Sequence, residues 1–216
     1  LVLHRGMSWQ QAEGKVVDTL GRVGISDASQ RYREYPHQLS GGMRQRAMIA
    51  MALVCEPRLL LADEPTTALD VTVQAQILRL MLRLRDETGT AIILVTHNLG
   101  VVAQSCDRVF VMYAGRIVES GTTAHVFANP EHPYTRGLMH SVPRLRPPAG
   151  APTRLESIPG SVPSIAAMPT GCPFHPRCRY VQDVCAHMLP ESVELEDGHH
   201  SLCHFAGRLD SVEVGA

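Results

Sequence analysis

Between Leu39 and Asp70 the chain reads LSGGMRQRAMIAMALVCEPRLLLADEPTTALD, and this span leaves little freedom of fold. Ser40-Gly41-Gly42 is a polar turn with little side-chain bulk, placed directly before a run of strong helix formers from Met43 to Val54, with Ser40 positioned as the N-cap. The spacing therefore predicts a helix N-terminus. Free backbone N–H groups and the positive end of the helix dipole favour an anion there, and two glycines let it approach the backbone closely. Leu59 to Ala62 is a short apolar run that ends in adjacent carboxylates, Asp63 and Glu64, before Pro65 stops any helix. Its length and composition predict a buried strand.

Carboxylates at the carboxyl end of a parallel strand stand where open α/β sheets bind ligands, and burying two of them without a metal or a proton to handle would be costly. Asp63 is thus a candidate to hold Mg²⁺, directly or through water. Glu64 is a candidate to polarise a water that attacks a γ-phosphate. Past Asp70, Val73, Ile77, Leu80, Met81 and Leu84 fall on one face of a helix that Gly89 ends, and Ala91 to Thr96 reads as a second buried strand carrying His97 and Asn98 at its end. Strand, helix, strand in that order predicts a parallel crossover. Upstream, Ser8 to Val23 has helical spacing with Ser8 as the cap and Gly24 as the stop. Downstream, Arg108 to Tyr113 and Arg116 to Ser120 flank Ala114-Gly115, the pattern of a tight hairpin expected to complete the sheet.

Taken together, Leu39 to Gln45, Leu59 to Glu64, Ala68-Leu69-Asp70 and His97 resemble the ATPase subunits of ABC transporters. The resemblance implies an α/β fold. It would comprise the C-terminal part of a P-loop ABC ATPase domain, with a parallel sheet, flanking helices and part of the helical subdomain, followed by a small irregular Cys-rich domain. It implies that Ser40, Gly41, Gly42 and Gln45 are signature residues facing ATP held by a second subunit. Asp63 would hold Mg²⁺, Glu64 would be the catalytic carboxylate, Asp70 the D-loop acid and His97 the switch histidine. Cys55 and Cys106, in apolar surroundings, read as small buried hydrophobes.

Prolines at 130, 133, 143, 147, 148, 152, 159, 163 and 169 change the composition after Phe127, so the sequence boundary is set between 127 and 128. Asn129 to Leu138 (NPEHPYTRGL) and Ile158 to Pro163 (IPGSVP) are similar to the C-terminal extension of oligopeptide and dipeptide importers. Four of the six cysteines, Cys172, Cys178, Cys185 and Cys203, fall in this extension, separated by five, six and seventeen residues, without a C-x₂-C knuckle. Disulfides are disfavoured in a cytosolic chain. In importers with this cysteine pattern the resemblance implies a [4Fe–4S] cluster. Zn²⁺ and metal-free thiols are the alternatives, with His204 as a substitute ligand and a small apolar core expected around Phe174, Tyr180 and Leu202.

A net charge of −1 and the lack of any basic stripe give nucleic acid no footprint, and no apolar segment is long enough to span a bilayer. The resemblance therefore implies a peripheral subunit on the cytoplasmic face of the membrane. Its partners would be a second ATPase, two permease subunits and an extracytoplasmic peptide-binding protein. An importer of nickel or another substrate, a DNA-repair ABC ATPase and a non-catalytic metal-binding interaction module are the competing readings. Neither a G-x-x-x-x-G-K-[ST] loop nor a Q-loop occurs, and Leu1 stands where a start Met would. The expectation is a piece of a longer reading frame that by itself binds ATP poorly, is almost inactive, and exposes apolar faces otherwise covered.

Overall fold

A computed structural model describes residues 1–67, 69–142 and 157–212. Ala68 of the predicted D-loop and the prolines at 143, 147, 148 and 152 lie outside them. The chain divides into two compact units, Leu1–His97 and Asn98–Ala216. The change in proline density at 127/128 falls inside the second unit, because the hairpin strands before it supply the surface on which the cysteine-bearing segments pair.

In the first unit a short helix α1 (Val2–Arg5) precedes α2 (Trp9–Arg22). The predicted cap is present as a reciprocal box: the Ser8 hydroxyl accepts from the Gln11 N–H at 3.2 Å, and the Gln11 side-chain oxygen accepts from the Ser8 N–H at 2.9 Å. Next come α3 (Ala28–Arg31), α4 (Gly41–Leu53), β1 (Leu59–Asp63), α5 (Val71–Thr88) and β2 (Ala91–Val95). The two strands are parallel, in register from Leu59↔Ala91 to Asp63↔Val95. Gly89, at a φ of 67°, ends α5 as expected, since this left-handed cap is almost strain-free only for glycine.

The helix periodicity reports the core directly. Ile77, Leu80, Met81 and Leu84 of α5 are buried against Leu20, Val23, Ile25, Ile49 and Ala50, with Leu60, Ala62, Ile92 and Leu94 packing from the sheet. The strands are not buried on both faces as their apolar runs predict, and they carry the exposed apolar face also expected: Leu61 is 69% exposed and Leu59, Ile93 and Val95 about half exposed, because successive side chains point to opposite faces and the described residues cover only one of them.

The second unit holds α6 (Leu99–Ser105), β3 (Arg108–Tyr113), β4 (Arg116–Thr122), α7 (Thr123–Ala128), α8 (Pro133–His140), α9 (Asp183–His187), β5 (Val193–Glu194) and β6 (His200–Ser201). The hairpin turns on Ala114 and Gly115, both at positive φ (47° and 77°), the geometry that matches the twist of the flanking strands. A bulge between Val111 and Met112 leaves Val118 without a partner in β3. The hairpin does not complete the β1–β2 pair. It belongs to an antiparallel sheet of order β3-β4-β6-β5, because β6 occupies the free edge of β4 through Glu119↔Ser201 and Ser120↔His200.

The core of this unit is aromatic. Phe174 meets Tyr113 edge-on at 5.2 Å and Tyr134 at 5.5 Å, over Val111, Val118 and Val126. Phe174 is buried as expected, whereas Tyr180 and Leu202 are only half-buried; Tyr113, buried, and Tyr134, half-buried, pack on Phe174 instead. Cys55 and Cys106 are half-buried rather than buried. Among the described residues no helix is long and apolar enough to cross a membrane.

Candidate functional site

Parallel pairing brings the two strand ends together. Beyond Asp63 the chain turns sharply, with Glu64 at a φ of 43° and its N–H donating to the Val95 carbonyl at 2.9 Å. A left-handed conformation costs a residue with a Cβ roughly 1–2 kcal/mol, and such outliers cluster at functional sites. Two residues beyond Val95, His97 places Nδ1 2.8 Å from Glu64 Oε1. The other carboxylate oxygen, Oε2, accepts from the Thr67 hydroxyl at 2.6 Å. The Thr67 hydroxyl, and after it His97, hold the Glu64 carboxyl below its ordinary range. With Glu64 ionised, Nδ1 of His97 is the donor, leaving Nε2 directed elsewhere.

Asp63 and Glu64 are exposed, contrary to the expectation of a buried pair: only alternate residues of β1 reach the core, and the chain leaves the sheet after Asp63. Both carboxylates therefore keep their hydration and need no counter-ion to persist. Glu64 and His97 nonetheless touch, as an acid–base dyad at the carboxyl ends of the parallel pair.

The signature residues stand at the first turn of α4. Ser40 is its N-cap, its hydroxyl accepting from the Met43 N–H at 3.3 Å. A Cβ on Gly41 would meet nothing within 4 Å, so this backbone is open to an approaching group, whereas one on Gly42 would lie 3.4 Å from Val73 of α5. The Gln45 side chain donates to the Pro65 carbonyl and so ties α4 to the turn that carries Glu64. Asp70 caps α5, Oδ1 accepting from the Val73 N–H at 2.9 Å. The Gln45–Pro65 hydrogen bond thus joins α4 to the turn after β1, and α5 lies against the first turn of α4 where Val73 faces Gly42. Thr67 was not singled out from the sequence, although a hydroxyl three residues after Glu64, across a proline turn, is the signal that marks it.

In the second unit Cys172, Cys178, Cys185 and Cys203 all line one cavity, together with Phe174 and Tyr180. All six cysteines of the chain are free thiols. Burial raises the Cys172 thiol, pushes Cys178 up to about 12 and Cys203 up to about 11, each further raised by its neighbouring thiols. Among the described residues no group of three or more His, Cys, Asp or Glu side chains could hold a single metal ion. His204 is a weaker substitute ligand than expected, since Nε2 contacts the Met188 carbonyl at 3.0 Å.

Comparison with known proteins bears out the resemblance. The family described as ABC transporter matches residues 4–67, and the family described as oligopeptide/dipeptide transporter, C-terminal region, matches residues 118–185. A putative peptide import ATP-binding protein of Brucella ovis is 55% identical over 94% of this chain and 61% of its own length. The oligopeptide transport ATP-binding protein OppD of Salmonella typhimurium is 53% identical over 88% of this chain and 56% of its own. The dipeptide transport ATP-binding protein DppD of Bacillus subtilis is 51% identical over 94% and 60%. The chain spans about three fifths of the length of these relatives. Among solved structures, cbiO1 of Clostridium perfringens, part of the ABC transporter complex cbiONQ, superposes with a TM-score of 0.53 at 34% identity over 59% of this chain and 50% of its own. Over nearly its whole length the chain is thus similar to peptide import and dipeptide transport ATP-binding proteins, with the likeness to ABC transporters in residues 4–67 and that to the oligopeptide and dipeptide transporter C-terminal region in residues 118–185.

Proposed function

We propose that this chain is part of the ATP-hydrolysing, energy-coupling subunit of an importer of di- and oligopeptides. The observation that carries the reading is the Glu64–His97 contact at the carboxyl ends of two parallel strands, joined by Gln45 to α4. In this reading residues 1–127 belong to the ATPase portion and 128–216 to the peptide-transporter extension. Asp63 holds Mg²⁺, Glu64 accepts a hydrogen bond from the attacking water, and Asp70 lies at the subunit contact. His97 contacts the γ-phosphate through Nε2 while Nδ1 stays with Glu64. Ser40, Gly41 and Gly42 offer backbone N–H groups to the nucleotide of a second subunit, with Gln45 beside them. Two permease subunits on the membrane and an external peptide-binding protein complete the assembly, with this chain peripheral on the cytoplasmic face.

Four thiols lining one cavity are the donor set a [4Fe–4S] cluster takes, with Zn²⁺ as the alternative. Cys172, Cys178, Cys185 and Cys203 would hold it. Bound, it would cross-link the loops of the second unit through iron–thiolate bonds. Iron and sulfide analysis after purification without oxygen tests it, and stoichiometric zinc would replace it.

The catalytic reading is tested in a chimera that adds the part of the Brucella ovis relative not matched by this chain, reconstituted with its permeases in vesicles. Glu64→Gln should retain ATP binding and lose roughly 10²–10⁴-fold in hydrolysis, the range for removal of a general base. Unchanged turnover would refute the assignment. The chain without that addition should hydrolyse almost no ATP, because the residues that carry the phosphate-binding loop in this family are not in its sequence.

A further inference from the structure

Two carboxylates of the second unit, outside the residues proposed for nucleotide chemistry, are buried. Glu119 of β4 is 1% exposed. Its oxygens accept from the Glu131 N–H at 2.6 Å and the His132 N–H at 3.1 Å, and Oε1 lies 2.7 Å from Nε2 of buried His199. Glu131 continues the network. Its Oε2 accepts from the Gly207 N–H at 2.8 Å, and its carbonyl accepts from the Ser201 hydroxyl at 2.8 Å.

These contacts converge on the cysteine cavity. His132, held through its backbone by Glu119, forms part of the cavity wall, its ring 5.8 Å from Phe174. Cys203 lies in a short loop pinned on both sides: before it, the Leu202 N–H donates to the Val118 carbonyl at 2.8 Å, and after it Gly207 is held by Glu131. Both pins run to β4, directly or through Glu119. The Pro-Glu-His-Pro segment, which the nucleotide site does not use, thereby acquires a physical role.

We propose that Glu119 and Glu131 are positioning residues for the four-cysteine centre, a buried two-carboxylate clamp that fixes Cys203 and the His132 wall relative to the other three thiols. A buried carboxylate is costly unless its lone pairs are filled, and three donors on Glu119 fill them from two separate segments. The chain thus gains a joint between β4, the segment around 131 and β6 that an apolar residue would not supply. The proposal rests on the reading of the cysteines as a metal centre, and its test separates the two.

Wild-type and Glu119→Gln protein are purified without oxygen and their iron and sulfide counted. Iron loss to a chelator is timed, and the electron paramagnetic resonance spectrum of the reduced centre recorded. Glutamine is isosteric but turns one acceptor into an NH₂ that faces a donor. The expected result is iron release faster by about 10–100-fold, the usual effect of removing an outer partner of a metal centre. The resonance line shape should also change, which a loss of overall stability would not produce. In metal-free protein, alkylation of Cys203 by iodoacetamide should quicken about tenfold relative to Cys55 in the other unit. Unchanged iron release and unchanged Cys203 alkylation would overturn the clamp. If wild-type protein contains neither iron nor sulfide, the cluster reading fails, and the clamp stands or falls on the alkylation ratio alone. Should Glu119→Gln not fold, Glu131→Gln decides: it leaves Glu119 with its donors and disturbs only the Asn129 and Gly207 contacts, so Cys203 should react faster and Cys172 as before. Equal rates in that variant and wild type would sink the proposal.

Discussion

Asp70 is assigned to the nucleotide interface, yet in this structure it is the N-cap of the longest helix, and the two roles separate by substitution. Asp70→Ala removes the acceptor of the Val73 N–H and the negative charge at the start of the 18-residue α5. Loss of a side-chain cap costs about 1 kcal/mol, within a range of roughly 0.5–2. Loss of the charge at the positive end of the dipole adds roughly 0.3–1 kcal/mol. The capped N–H is solvent-exposed, so water partly replaces the lost bond, and the sum is about 1–2 kcal/mol. Asp70→Asn keeps the acceptor and loses only the charge, so it should cost less than about 1 kcal/mol. Urea unfolding followed by helical circular dichroism resolves these values. At a slope of roughly 1–3 kcal/mol per molar urea, a loss of about 1.5 kcal/mol moves the midpoint down by roughly 0.5–1.5 M. An unchanged midpoint for Asp70→Ala, or an equal loss for Asn and Ala, would refute the cap argument. The comparison also bears on function. Only the part of an Asp70→Ala defect that Asp70→Asn shares at equal stability reports on the charge at a subunit contact.

Two further outcomes follow from the geometry. The Glu64 carboxyl should titrate below the ordinary carboxylate range by nuclear magnetic resonance, with Thr67→Ala raising it more than His97→Ala because the hydroxyl bond is the larger cause. A depressed folded value means the ionised form contributes stability above the unfolded carboxylate pKa and loses it as pH falls through the folded one, so both variants should flatten the acid limb of the stability profile. In the second unit Gly171, at a φ of 67°, packs so closely that a Cβ would lie 2.4 Å from the Cys185 carbonyl oxygen. Gly171→Ala should therefore cost at least 1–3 kcal/mol in thermal or urea unfolding, and a variant as stable as wild type would show that the contact relaxes freely.

Much of the first unit, and the hairpin of the second, is legible in the sequence because the rules are local. The Ser8 and Ser40 caps, the α5 stripe from Val73 to Leu84, the Gly89 stop and the Ala114-Gly115 turn depend on residues a few positions apart, and each stands where it was expected. The parallel pairing of β1 and β2 follows from the helix between them, and it brings Glu64 to His97. An exposed apolar face is expected from the sequence, but which strand residues form it is not readable in the same way. Leu59 and Leu61 are as apolar as Leu60, and only the packing partners present decide which of them meets solvent.

Local rules thus account for the long helices of the first unit, their ends and the parallel β1–β2 pair, and they single out the residues proposed for phosphate chemistry, since periodicity, capping and turn chemistry act over short separations. Tertiary structure alone decided that the hairpin joins β6, that four cysteines spread between 172 and 203 share one cavity, and that Glu119 and Glu131, which look like surface acids in the sequence, are buried. The physical reason is the same in each case. A carboxylate or an edge strand is satisfied by whatever donors and partners the rest of the chain brings to it, and those arrive from as far away as His199, whose distance along the chain leaves no local trace.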